Sequence, residues 1–371
     1  MSDATTLGPF GRLYHGLTTF NFVGRKKTWF MVSLIVIVAG LVSLGVRGFN
    51  LGIDFKGGSS WEVLAPNTTI AQMTNAVTKA GLPNPTIEKL GSDTFQVTAD
   101  INSMPAPAAT ALTNKVVDVM ATQAGTSANQ VSTSSVGPTW GGQITHRALE
   151  ALLVFFIAVV LYISMRFEPK MALAAFVAMV HDLLVTVGVY SLFGFQITPD
   201  TVIAILTILG YSLYDTVVVF DRVRDNTAGV LKGGDITYGE MVNLSMNQTL
   251  ARSINTSLVA IMPVLSVLVV GAYILGATTL QNYGLALFVG LMSGAYSSIF
   301  IASPLLAWMK EREPRYQDLA QRAGQRAERR AALTPASVAA MSGAESPGGA
   351  ARSNANATGT IVARARKPKR R

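Results

Sequence analysis

The 371-residue chain is 50% hydrophobic and only 14% charged, well below the roughly 25% charge of soluble domains, and this balance points to a membrane class. It has no cysteine, which excludes disulfides, thiolate catalysis and cysteine-ligated metals; its three histidines, His15, His146 and His181, are too scattered for a metal-ligand spacing. The net charge of +9 equals that of the segment 310–371 alone, which carries 14 Lys or Arg against 5 Asp or Glu.

Residues 1–28 are polar and end near Arg25, Lys26 and Lys27. The apolar run 29–46 is too long for the core of a cleavable signal peptide and predicts a retained first transmembrane helix. A stretch of soluble character follows, 47–147, with six basic and six acidic residues. Within it, 59–64 alternates as a strand does. Residues 68–80 have a helical period and open on the capping pair Thr68-Thr69. Runs 87–90 and 94–99 read as strands joined by the turn Gly91-Ser92-Asp93, 107–124 as a second helix, and 130–136 as a closing strand. This β-α-β-β-α-β order predicts a ferredoxin-like α+β domain.

The remaining apolar runs, about 149–165, 171–195, 199–220, 254–275 and 283–309, crowd into the segment 148–309. Each is long enough to cross about 30 Å of hydrocarbon at 1.5 Å per residue. The predicted architecture is therefore a polytopic α-helical membrane protein of six spans, with the α+β domain between spans 1 and 2. Basic residues alternate by end: Arg25, Lys26 and Lys27, then Arg166 and Lys170, then Arg222, Arg224 and Lys232, then Lys310 and Arg312. They predict that both termini are cytoplasmic and the 47–147 domain extracytoplasmic. The tail from 310 reads as a solvated, partly disordered extension or as a surface for anionic lipid or RNA.

Ionisable groups at bilayer depth cost about 2.5–3.5 kcal/mol each and so have a partner or a function. His181 and Asp182 lie near the middle of the third span. Asp215 lies about 9 Å inside the fourth, and Arg252 opens the fifth at a similar depth, so the two are predicted to face each other. A movable Asp215–Arg252 contact would switch the carboxyl between holding and releasing a proton. A static pair fixing helix register is equally compatible with the residues, and an arginine snorkelling to the interface is a third reading. His181 and Asp182 read as hydrogen-bonding groups toward neighbouring helices. Ser212, Asn255 and Thr256 share faces with the charged pair and would line a wet path or satisfy one another. Gly290 and Gly294 form a GxxxG pattern suited to close helix contact. There is no phosphate loop and no Ser/His/Asp grouping in a pocket-forming context, so no cofactor and no hydrolytic or redox chemistry is predicted.

Five ordered segments carry a resemblance. They are Leu51-Gly52-Ile53-Asp54-Phe55-Lys56-Gly57-Gly58; Val136-Gly137-Pro138 with Gly141; His181-Asp182; Gly210-Tyr211-Ser212-Leu213-Tyr214-Asp215 running on to Asp221-Arg222; and Arg252-Ser253-Ile254-Asn255-Thr256-Ser257. Together they resemble the SecF branch of the SecD/SecF family of the RND-like superfamily, over about residues 20–310. One departure is Tyr214, where the family commonly has Asn. The resemblance implies a bacterial inner-membrane subunit forming a heterodimer with SecD. It would act with the SecYEG channel, SecA and a YajC-type subunit on unfolded preproteins in late translocation, using the proton motive force. It implies Asp215 and Arg252 as the proton-coupling pair, with Asp54, Gly57, Gly58, Gly137 and Pro138 structural. Set against it are a non-transporting scaffold of the translocon and a half-size RND-type exporter of lipid or small molecules.

Overall fold

A computed structural model of the protein describes residues 8, 11, 18–90, 93–233, 236–274 and 278–332. The predicted turn at 91–92, most of the N-terminal segment and the basic tail beyond 332 lie outside them. Among the described residues, six helices are long and apolar enough to cross a membrane. In chain order the spans are α1 (Lys26–Arg47), α5 (Pro138–Arg166), α6 (Pro169–Phe193), α7 (Pro199–Gly233), α8 (Tyr238–Ser266) and α9 (Thr278–Ser297). The fifth continues as a π-helical stretch, Val267–Ile274. The sixth passes through a π-helical turn, Ser298–Ala302, into α10 (Ser303–Lys310).

Between α1 and α5 come a short helix α2 (Ile53–Lys56), β1 (Gly58–Leu64), α3 (Ile70–Lys79), β2 (Thr86–Leu90), β3 (Thr94–Ala99), α4 (Ala106–Ala124) and β4 (Ser132–Val136). The strands form one antiparallel sheet in the order β2-β3-β1-β4. Alternation sends Trp61 and Val63 of β1 and Phe95 and Val97 of β3 to one face. There they meet Met73 and Val77 of α3 and Val116 and Met120 of α4 in a closed apolar core. Helix α3 starts where its sequence says it should: Thr69 and Gln72 form a capping box.

Several spans are longer than their apolar runs. An apolar run measures the slab of hydrocarbon, whereas a helix continues until a cap ends it. The fifth begins at Tyr238 rather than near 254, because Thr237 and Glu240 form a capping box there, and the second begins at Pro138, directly on the Gly137 cap. The helical extension of the fifth carries Asn243 and Asn247. Their amides bind the backbone of Phe22 and Phe20, with Asn243 Oδ1 accepting from Phe22 N at 2.8 Å and Asn247 Oδ1 from Phe20 N at 2.9 Å.

Packing inverts the pattern of a soluble helix. The buried positions of α1 are Ser33, Gly40 and Ser43, while Leu34, Ile35, Leu41 and Val42 point outward. Lipid is as apolar as leucine, so close backbone approach and hydroxyl contacts hold helices together instead. A Cβ on Gly40 would stand 2.6 Å from the Gly188 Cα, and Ser43 and Ser191 hydroxyls meet at 3.1 Å. The GxxxG pair works the same way: Gly290 lies under Ile208 of α7, and a Cβ on Gly294 would stand 3.0 Å from Ser212. Beyond Lys310, α11 (Pro314–Ala332) begins, and Tyr316 and Leu319 join the core of the bundle.

Candidate functional site

The third span places Asp182 in the middle of the bundle, 1% exposed. Its Oδ1 accepts from Ser293 at 2.8 Å and lies 3.1 Å from His181 Nδ1. Its Oδ2 accepts from Ser212 at 2.5 Å and from Ser297 at 2.7 Å. All four lone-pair positions of the carboxylate are thus occupied, by groups from the third, fourth and sixth spans. The partners are hydroxyls and an imidazole; among the described residues no Lys or Arg pairs with it.

His181 turns its other nitrogen to the first span. Nε2 lies 3.0 Å from Ser33 Oγ, which is 3.4 Å from the Tyr296 hydroxyl, and Tyr296 donates to the Trp29 carbonyl at 3.1 Å. The Tyr296 ring stacks on the imidazole with centroids 6.1 Å apart.

Asp215 is also buried, at 7% exposure, and accepts from Ser298 at 2.6 Å. Ser298 opens the π-helical turn; the extra residue of such a turn redirects side chains, and these turns recur at functional sites. Asp215, Ser212, Asn255 and Thr256 line a cavity of about 610 Å³ between spans four, five and six, walled by Val264, Leu287 and Leu291. Tyr214, 59% exposed, lies at its margin.

Arg252 does not meet Asp215 in this structure. It is exposed and lies in a separate polar pocket with Val218, Asp221, Arg222, Asp225, Gln248 and Thr249. Val218 is one turn along the helix from Asp215, so the two charges are offset by about a turn. A guanidinium is better solvated among these polar groups than in the apolar cavity, and its long stem reaches them.

The remaining predicted residues cluster where the α/β domain joins the bundle. Asp54 sits in α2; burial first, and then the Asp200 carboxylate, raise its carboxyl above the ordinary range. Gly57 and Gly58 have φ of 78° and 129°, a backbone that glycine adopts freely. Gly137 caps α5 and Pro138 is its first residue. Gly141 seals the joint, since a Cβ there would stand 2.7 Å from the Phe55 carbonyl oxygen.

These positions coincide with two family profiles. The one described as "Protein export membrane protein SecD/SecF, C-terminal" matches residues 116–312, and the SecD/SecF GG motif matches 42–63. The protein translocase subunit SecF of Streptomyces coelicolor is 42% identical over 323 residues, covering 87% of this chain and 84% of the relative. The chain belongs to the SecD/SecF family. The SecF subunit of Escherichia coli O157:H7 is 32% identical over 298 residues, with 79% of this chain and 89% of that one covered. Among solved structures, SecDF of Thermus, titled a translocon-associated membrane protein, superposes with a TM-score of 0.69 at 30% identity. The match covers 80% of this chain but only 39% of that longer one.

Sequence reasoning named Ser212 but grouped it with Asp215 rather than Asp182, and it missed the sixth-span hydroxyls that bind the two buried carboxylates and the Ser33 hydroxyl that meets His181. Ser293, Ser297 and Ser298 fall at i, i+4 and i+5 of the last span, and Ser33 shares a face with Gly40 and Ser43 in the first. Helical spacing of small polar residues was the available signal; the π-helical turn that aims Ser298 left none.

Proposed function

We propose that this chain is the SecF-type subunit of a proton-driven complex that promotes late steps of protein export. It would sit in a bacterial inner membrane beside a SecD-type chain. The match to only part of SecDF, leaving the larger share of that chain for a second module, supports such a pairing. SecYEG, SecA and a YajC-type subunit are the machinery this role requires. The sheet order β2-β3-β1-β4 between two split β-α-β units supports a ferredoxin-like domain. Lys and Arg at the ends of the spans opposite that domain support cytoplasmic termini and an extracytoplasmic domain.

The observation that carries the proposal is a pair of buried carboxylates held by hydroxyls and imidazole rather than by a fixed cation. A carboxylate in an apolar site favours its neutral form, and a nearby guanidinium reverses that preference. Asp215 is the proton carrier: it loads from the cavity while Arg252 rests in its polar pocket. A shift of about one turn brings Arg252 to Asp215 and expels the proton. Each proton driven across 100 mV delivers about 2.3 kcal/mol, which biases a two-state domain movement by tens of fold.

The test uses inverted vesicles carrying the complete complex with its SecD-type partner. Asp215→Asn is expected to abolish stimulation of preprotein translocation by the proton motive force while co-purification with the partner persists. Full stimulation in Asp215→Asn, or a loss traced wholly to failed assembly, would point to a passive scaffold instead.

A further inference from the structure

We propose that His181 and Asp182 form a second proton-binding station, distinct from Asp215, that hands the protonation state of the bundle interior to the first span. This rests on the reading of a proton-driven subunit given above.

The geometry has three parts. Asp182 is saturated with hydrogen bonds, yet no lysine or arginine among the described residues neutralises it. In a low-dielectric interior such a charge is costly unless compensated, and the group placed to compensate it is the imidazole 3.1 Å away. His181 is poised to carry charge because both its nitrogens are engaged, Nδ1 by Asp182 and Nε2 by Ser33. Finally, the hydroxyls beyond Nε2 have somewhere to turn. When the imidazole is neutral with Nδ1–H donating to Asp182, Nε2 accepts from the Ser33 hydroxyl. When a proton binds at Nε2, that nitrogen becomes a donor to the Ser33 oxygen. The Ser33 hydrogen then rotates to the Tyr296 oxygen, 3.4 Å away, while Tyr296 keeps its own hydrogen on the Trp29 carbonyl. One proton is added, no other covalent bond changes, and the pair passes from net −1 to net 0. Release reverses the same steps from Nε2.

The other groups facing His181 do not supply this charge. The first span presents Ser33 and the sixth presents Tyr296. The fourth presents Ser212, which donates to Asp182 rather than to His181, and, a turn along, Asp215, which is bound by Ser298. The first span is the element that matters for output, because its helix is unbroken from Ser33 to Arg47 and the chain then continues through the non-helical residues 48–52 and α2 into β1 of the α/β domain. Reversing one hydrogen bond at Ser33 therefore changes the attachment of the helix that leads into that domain.

The test exploits the three histidines of the chain. In the complete complex, this chain is labelled with 15N-histidine, the SecD-type partner is unlabelled, and His146→Gln removes the second transmembrane-region signal. Solid-state NMR follows the His181 nitrogens from about pH 5 to about pH 9. The expected result is a conversion between neutral and doubly protonated imidazole that survives in Asp215→Asn and is displaced in Asp182→Asn and Ser33→Ala. Ser33→Thr, which keeps the hydroxyl, is expected to retain both the conversion and proton-driven export, whereas Ser33→Ala loses export stimulation with assembly intact. A His181 locked in one neutral tautomer across the range, or wild-type export in Ser33→Ala, overturns the second station while leaving Asp215 as carrier. If Asp215→Asn itself exports normally under a proton motive force, the underlying reading fails first.

Discussion

Glu313, just past the end of the sixth span, accepts from Lys170 at 2.9 Å and faces Lys310 at 3.4 Å; Lys310 also pairs with Glu168. Partial burial alone would raise the Glu313 carboxyl, but the hydrogen bond from Lys170 and the two ammonium charges outweigh it and hold it below its ordinary value of 4.5. A carboxyl that is more acidic folded than unfolded stabilises the fold above its ordinary value, and loses that contribution as pH falls through the folded one. Thermal unfolding in detergent from about pH 7 down to about pH 2 should therefore fall more steeply below the ordinary carboxyl value for the wild type than for Glu313→Gln, the two curves converging only once the folded carboxyl is itself protonated. An identical slope for both proteins would show that the ion network does not contribute. Other single residues were legible to different degrees. The cost of burying a charge picks out His181, Asp182 and Asp215 from sequence alone. It does not choose their partners, because a serine donor looks like any other small residue in a span. Arg252 shows the converse limit: depth along the chain brought it level with Asp215, but a long flexible side chain chooses its own depth.

At the scale of elements, the third span is gripped from the side of the first by small residues. Ser33 meets His181, Gly40 meets Gly188, and Ser43 meets Ser191. Because backbone faces backbone at Gly40, no flexible side chain can yield to a new methyl group. Gly40→Val is expected to push the helices apart and break both serine contacts. The absence of native cysteine makes this measurable. Ser43→Cys with Ser191→Cys should cross-link efficiently under mild oxidation, since the hydroxyl oxygens they replace are 3.1 Å apart, and should fail to do so when Gly40→Val is added. Equal cross-linking in both would mean that the glycine contact does not set the spacing. Hydropathy revealed that six spans exist, because apolar length is a property of each segment by itself. Which face of a span turns inward was less legible. In lipid the apolar residues point out, so the informative residues are the few small ones, and a glycine or serine stands out only faintly among leucines and valines. The α/β domain was legible to within a residue or two at most strand and helix ends, because alternation and capping are local signals. β4 starts at Ser132 rather than 130 because a 3₁₀ turn, Ala128–Gln130, takes up the preceding residues.

For the molecule as a whole, the chain passes between the bundle and the α/β domain at two neighbouring points, and Asn50 adds a hydrogen-bonded bridge from Glu88 of β2 to the Gly194 carbonyl. Gly58, at the entry to β1, pairs in register with Val136, at the exit of β4. The chain thus enters and leaves the domain side by side, through Gly57-Gly58 on one strand and Gly137-Pro138 on the other. The core behind the sheet is built wholly from residues between those points, with Trp61, Phe95, Met73 and Met120 fully buried. A body with its own core and closely spaced chain entry and exit can move as a unit, as the proposed conversion of proton flow into motion requires. The fragment 58–136 is accordingly expected to fold alone. Trp61, its sole tryptophan, should report a single cooperative urea transition with a slope of about 1 kcal/mol/M, as for other small domains. A broad transition would show instead that α2 and the Gly141 contact are part of the folding unit. In that case the domain and the first turns of the second span would move together.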